Sequence, residues 1–388
     1  MAERSPWTLL FVLSGNMILD ALEVSIVLLA IPVIAADLDS SLWTAQWLMS
    51  GFAVGFAAGL LPGPALAARW GRRTTYLGAT ALFVLASLAG GLTSSIAVLI
   101  ASRALKGFSA ALTAPAGLAV ITTAFPEGAP QRKAVAIYSL FGATGFTIGL
   151  LLSGVLVEVG WSWVFLFPAP IALALLIAAW LTLPRDAPQP PKITLSLLLK
   201  GNLTRSAIGA ATLHGAYVSV LVLITLHLYH EFAWRPWQIA VALLPACLPL
   251  LISVPFAGQL VARFGATRLI AAGATAALCG ELLYLTQPAP DSYLTGPLPV
   301  LLLVEAGFVL SFAALNMKAT STVAPNFRPA AVALYQTAVQ IGGIVLLPLV
   351  TALLDDQQDP RAPLIFVTAA GLVGITAAVT GLRAKVHS

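Results

Sequence analysis

Four charged residues sit where charge is expensive. Asp20 and Glu23 stand three residues apart inside one apolar run, and Arg103 and Lys106 stand three apart inside another. On a helix each pair shares a face. In hydrocarbon each charge costs about 2.5–3.5 kcal/mol on insertion scales. Such groups are tolerable only beside water or opposite one another. At 1.5 Å per residue from Trp7, Asp20 lies roughly 20 Å deep, while Arg103 lies roughly 10 Å from the other side. In a core of about 30 Å those depths coincide. Asp20–Arg103 is therefore the expected ion pair, with Glu23 and Lys106 able to join. Low dielectric favours the protonated carboxyl and a nearby cation favours the ionised one, so a moving cation can bind and release a proton. A static pair that only fixes helix packing is the competing reading. Desolvation can cancel the attraction in such a pair, which weakens that account.

Other polar side chains recur in the apolar runs. His214 follows Asp20 by 194 residues, half the chain. It reads as a packing residue or a cavity and proton group. Glu305 is taken as the one acid clearly central in the second half, a candidate for a cationic substrate or a proton. Gln340, Gln336 and Asn316 are neutral cavity candidates. Trp47, Tyr138, Phe141 and Tyr217 could face flat organic substrates or simply pack. His227 and His230 read as interfacial, and their spacing alone does not make a metal site. Cys247 and Cys279 read as small packing residues, with no disulfide or zinc framework.

These residues need positioning elements, and composition says which kind. The chain has 388 residues, 59 % hydrophobic and 9 % charged, against about 25 % charged for soluble domains. A polytopic membrane protein follows. Apolar runs predict twelve helical spans near 7–36, 43–67, 74–93, 96–123, 133–159, 161–183, 206–230, 236–262, 267–286, 295–317, 329–354 and 363–383. A β-barrel is excluded because its strands alternate polar and apolar residues. No removable signal peptide is expected.

Charge sets the orientation. With both termini cytoplasmic, the inner segments hold Arg4, Arg69, Arg72, Arg73, Arg132, Lys133, Arg185, Lys192, Lys200, Arg205, Arg263, Arg268, Lys318, Arg328, Arg383 and Lys385, which is 16 of the 20 basic residues. The outer loops hold only Arg235 and Arg361, as the positive-inside rule requires. The basic balance is thus a topology signal, and no nucleic-acid partner is expected.

The chain also repeats itself. PALAARWG at Pro64–Gly71 returns as GQLVARFG at Gly258–Gly265, 194 residues on. Two duplicated six-span halves are a transporter architecture. The expected division is 1–183 and 206–388, joined by a Pro-rich linker at 184–205 that carries a short interfacial helix.

Four stretches resemble the major facilitator superfamily, and within it the proton-coupled drug antiporters in a twelve-span version. LEVSIVLLAIP, Leu22–Pro32, is similar to the acidic–x–Thr–Ile–Val–x–x–Ala–Leu–Pro signature, with Glu23 in the Asp place and Ser25 for Thr. PALAARWGRR resembles the gating loop; Arg69, Gly71, Arg72 and Arg73 match, while Pro64 and Ala68 replace the family's Gly and Asp. RALKGFSAA keeps Arg103 and Gly107 of the Arg–x–x–Gln–Gly signature, with Lys106 for Gln. GFTIGLLLSG keeps Gly145, Gly149 and Gly154 of the antiporter signature, with Leu150 and Ser153 replacing Pro and Gly. The resemblance covers nearly the whole chain. It implies the all-α major facilitator fold, alternating access, and Glu23 with Arg103 as coupling residues. The glycines let helices approach closely, either at a seam between halves or in ordinary packing.

The function expected is proton-coupled export of a small amphipathic compound from a monomer in the inner membrane. No nucleotide-binding loop is present, and no cofactor or metal is expected. Alternatives are a symporter or facilitator for an anionic metabolite held by Arg103 and Lys106, and a transport-inactive receptor or scaffold. A membrane enzyme ranks below both.

Overall fold

In the computed structural model, residues 6–184, 202–287, 290–324, 327–357 and 361–383 are described. Among them all regular structure is helical. The first half contains α1 (Pro6–Ser25), α2 (Ala30–Asp37), α3 (Leu42–Ala45), α4 (Trp47–Leu60), α5 (Gly63–Trp70), α6 (Arg72–Gly91), α7 (Ile96–Ala124), α8 (Ala129–Val159), α9 (Ser162–Leu166) and α10 (Pro168–Thr182). The second contains α11 (Asn202–His230), α12 (Pro236–Ala242), α13 (Leu248–Ser253), α14 (Ala257–Phe264), α15 (Ala266–Thr286), α16 (Pro297–Thr320), α17 (Arg328–Gln357) and α18 (Arg361–Arg383). Eleven helical stretches are long and apolar enough to cross a membrane, and Leu42–Leu60 with Gly63–Trp70, bent by 54°, makes a twelfth span.

Four expected spans are broken: the second between α4 and α5, the sixth between α9 and α10, and the first and the eighth. The first stops at Ser25 and resumes at Ala30. Pro32 has no N–H to give and crowds the carbonyl four residues back. The intervening turn closes on shorter-range bonds, Leu28 N–H to Ser25 O and Ala30 N–H to Val27 O, both 3.0 Å. The eighth span, expected to run through 236–262, is split into α12, α13 and α14 with 3₁₀ turns at Leu244–Ala246 and Val254–Phe256. Pro245, Pro249 and Pro255 supply the breaks.

The chain divides into two compact units, Met1–Ser40 with Gly51–Lys192, and Ser41–Ser50 with Ile193–Ser388. The division between Lys192 and Ile193 falls inside the expected linker, 184–205. The short stretch Ser41–Ser50 joins the second unit, where α3 packs on α17. The linker is also shorter at its far end, because α11 already begins at Asn202. The expected interfacial helix within it falls outside the described residues.

The half-chain repeat is visible in the backbone. The bounds of α14 lie 194 residues after those of α5. Gly71 after α5 has φ 84° and ψ 148°, and Gly265 after α14 has φ 81° and ψ 136°. That region is essentially reserved for glycine. Both loops make the same corner with the same residue.

Inside the first unit α1 packs along α8. A Cβ on Gly145 would fall 2.5 Å from the Ile18 carbonyl, and one on Gly149 would fall 2.5 Å from the Leu22 carbonyl. Ser25 Oγ donates to Phe146 O at 2.6 Å across the same contact. Gly154 is also buried on α8. For Gly145 and Gly149 the structure favours the packing reading, because the surface they approach belongs to α1 of their own unit.

Candidate functional site

The break after Ser25 and the close approach of α4 to α7 build the site. Gly51, Gly55 and Gly59 on α4 face α7, and a Cβ on Gly107 would collide with the Phe52 carbonyl. That proximity puts Phe52 over Arg103, its ring centre 4.8 Å from the guanidinium carbon. Lys106 lies 5.0 Å from the ring of Phe83 and 5.8 Å from that of Phe165. Aromatic faces help hold desolvated cations.

Glu23 is the hub. One carboxylate oxygen accepts from Arg103 Nη1 and pairs with it. The other meets Lys106 Nζ at 2.5 Å, a charge contact more than an aligned hydrogen bond. Arg103 Nη2 also donates to the Glu23 main-chain oxygen at 2.6 Å. That carbonyl is available because the helix loosens one turn later. Glu23 and Lys106 are 0 % exposed and Arg103 is 1 % exposed.

Asp20 is placed differently from expectation. Depth along the two helices pointed to an Asp20–Arg103 pair, yet Arg103 belongs to Glu23. Asp20 Oδ2 instead accepts from Asn16 Nδ2 at 3.0 Å and from Thr113 Oγ1 at 2.8 Å. It is 6 % exposed and meets no cation among the described residues. The two acids therefore hold distinct positions: one is locked between two cations, the other sits in a neutral hydrogen-bonding pocket. Asn16 and Thr113 were not singled out from sequence. Their signal was Asn16 one turn before Asp20, and a hydroxyl on the helix that carries the cations.

In the second unit Glu305 is fully buried on α16. Its Oε1 accepts the Leu250 N–H at 2.9 Å. Leu250 lies in the first turn of α13, where main-chain N–H groups lack helical partners. An acid on one span thus caps a fragment of another. Glu305 is not the only buried acid among the described residues of this half. Glu281 on α15 is 1 % exposed, and sequence reading missed it because it lies near the end of its apolar run.

The remaining expected residues each take up contacts within their own unit. Tyr138 is buried and its hydroxyl donates to Ala114 O at 2.9 Å, beside Pro115 of α7. Tyr217 stacks near Phe308, ring centres 4.7 Å apart, and donates to Ala246 O. Both were expected at a substrate, and both hydroxyls are spent on main-chain carbonyls. His214 lies partly buried against Gly343 of α17. Gln340 is partly buried on α17, and Trp47 packs edge-on to Trp43. Around the corner glycine, Arg69 is exposed, Arg72 is partly buried, and Arg73 Nη2 donates to Trp180 O at 2.7 Å. No group of three metal-ligating side chains exists among the described residues. Cys247 is buried with its thiol donating to Leu244 O at 3.5 Å, Cys279 is exposed, and the two form no disulfide.

Comparison with known proteins places the chain in a family. The puromycin resistance protein pur8 of Streptomyces alboniger is 29 % identical, over 88 % of this chain and 80 % of its own length. The cephamycin export protein CmcT of Amycolatopsis lactamdurans is 34 % identical over 64 % of this chain, which spans 48 % of that protein. The tetracenomycin C resistance and export protein of Streptomyces glaucescens is 34 % identical over 45 % of this chain and 32 % of its own length. This chain thus spans half or less of the second and third relatives. A family model matches residues 13–347 and, separately, 207–386. With its helical spans, its repeated corner glycines and that match, the chain belongs to the Major Facilitator Superfamily of membrane transporters.

Proposed function

We propose that this transporter exports a small amphipathic organic compound in exchange for protons, by alternating access, from the inner membrane and with both termini cytoplasmic. The observation that carries the reading is the division of labour between the two acids of α1. Glu23 is held by Arg103 and Lys106, so its charge is compensated and its position fixed. Among the described residues Asp20 meets no cation and accepts from two neutral donors, an environment that can hold the acid in either state. In this reading Asp20 carries the proton. Glu23 keeps the two cations in place and shifts with them when α1 and α7 move. The relatives' names, which speak of resistance to and export of antibiotics, support the substrate class. The concentration of basic residues on one side of the membrane supports the orientation.

Glu305, His214, Gln340 and Trp47 are the residues proposed to meet the substrate. Glu305 would offer a carboxylate to a cationic group. Tyr138 and Tyr217 serve as pegs that hold helices.

The test is flux in proteoliposomes under an imposed pH gradient, with a panel of cationic, neutral and anionic amphiphiles. Uptake of cationic or neutral compounds that collapses with the gradient and discharges it is expected. Anion uptake accompanied by proton entry would replace export with symport through Arg103 and Lys106. No flux for any compound would leave a receptor or scaffold.

A further inference from the structure

The second unit holds a carboxyl that the reading above does not use. No hydrogen bond or ion pair reaches Glu281 among the described residues, and its Oε2 is fully enclosed. It packs against the backbone of α18, where a Cβ on Gly371 would collide with Oε2. An ionised carboxylate with no counter-charge is among the costliest groups to bury, far costlier than the neutral acid.

The space beside it is mostly apolar, but three polar side chains reach it. A cavity of about 20 Å³ is lined by Glu281, Thr212 of α11, Ser311 of α16 and Gly371 of α18. That is room for about one water molecule. Thr212 Oγ1 donates backwards to Ile208 O at 3.1 Å, and Ser311 Oγ donates to Ile270 O at 3.4 Å. Both hydroxyl oxygens keep lone pairs for a water or an acid proton.

A second cavity of about 20 Å³ adjoins the first and shares Gly209, Ile270, Leu315 and Gly374 with it. It is lined further on by Arg205, Thr267 and Lys318. Lys318 Nζ donates to Thr267 Oγ1 at 3.0 Å there. The two cavities lie in line within the four-helix group α11, α15, α16 and α18, with shared walls between them. The line they mark leads from the buried acid toward the face where α11 begins and α16 ends.

The other charged groups on the elements packed around α15 look elsewhere. On α11, His214 lies against α17; on α16, Glu305 turns to α13; Arg263 of α14 is exposed. Between Arg361 and Arg383, α18 has no titratable side chain. On α15 itself, Arg268 is exposed and Tyr284 is buried.

We propose that Glu281 is a second proton-carrying carboxyl, which exchanges its proton, by way of water entering these two cavities, with the face bearing Arg205 and Lys318. It is separate from the Glu23–Arg103–Lys106 cluster and stands whether or not flux is proton-driven.

The test uses the full chain in liposomes and infrared difference spectroscopy. At neutral pH a protonated-carboxyl stretch is expected that Glu281→Gln removes and Asp20→Asn leaves. Its shift on transfer to heavy water should slow about tenfold, about 1.4 kcal/mol of barrier, in Ala378→Leu, which fills the outer cavity. A spectrum unchanged by Glu281→Gln, or exchange unaffected by Ala378→Leu, overturns the proposal. A readout without substitutions is also available. An apolar carbodiimide, which reacts with protonated carboxyls, should label Glu281 in the native protein, as read by peptide mass. Labelling that spares Glu281 also overturns the proposal. Proton-independent flux with the Glu281 band intact would sink only the transport reading.

Discussion

A carboxylate shared by two buried cations is a point of strong leverage. Removing Glu23 leaves Arg103 and Lys106 desolvated and uncompensated, a loss of about 3–5 kcal/mol. Glu23→Gln is therefore expected to lower the thermal unfolding midpoint sharply in detergent. Replacing all three residues together, with Glu23→Leu, Arg103→Met and Lys106→Met, should recover much of that stability without recovering transport. Asp20→Asn should behave differently. Its partners Asn16 and Thr113 can still bond an amide, so stability changes little while gradient-driven flux is lost. Wild-type flux in Asp20→Asn would overturn the assignment of the proton to that residue. The sequence revealed all four charges of this cluster and their rough depth. Depth chose Asp20 over Glu23 as the partner of Arg103 and chose wrongly, because three residues differ by only about 4.5 Å in height. What separates them is direction around the helix and a loosened turn, and both depend on packing.

At the level of helices, small residues decide who touches whom. Gly149 is expected to tolerate no larger side chain, because its neighbour is the Leu22 carbonyl, a rigid main-chain atom. Gly149→Val should cost about 1–3 kcal/mol of stability, read as a lowered unfolding midpoint with α1 displaced. An unchanged midpoint would show that the α1–α8 contact is softer than its geometry implies. The glycine pattern was legible as close packing, but its partner was not, since a stripe of small residues names no opposite surface. The broken eighth span was also signalled, by three prolines in eleven positions. Hydropathy alone reads through such prolines, because they do not make a run less apolar. That Glu305 reaches the freed N–H of Leu250 depends on how α13 turns against α16, which no local pattern encodes.

For the molecule as a whole, the arrangement of charge makes a topological prediction. In a chain with Cys247 and Cys279 replaced, single cysteines at Glu127, Arg263 and Ser321 should resist an impermeant thiol reagent added outside intact cells. Those at Ser94, Glu231 and Asp291 should react. The reverse pattern would invert the proposed orientation. The two-half plan is readable in the sequence alone, from apolar run lengths, basic loops and one repeated octapeptide. The transfer of Ser41–Ser50 to the second unit is not, since nothing in its composition distinguishes which bundle it will join.

The matched corners at Gly71 and Gly265 carry one more consequence. Two stretches that bend alike under different neighbours hold their shape by their own backbone. A segment cut from one half should then graft into the other: residues 63–71 exchanged for 257–265 ought to yield chimaeras that insert and unfold like the parent. The ancestral duplication would in that case survive as an interchangeable part.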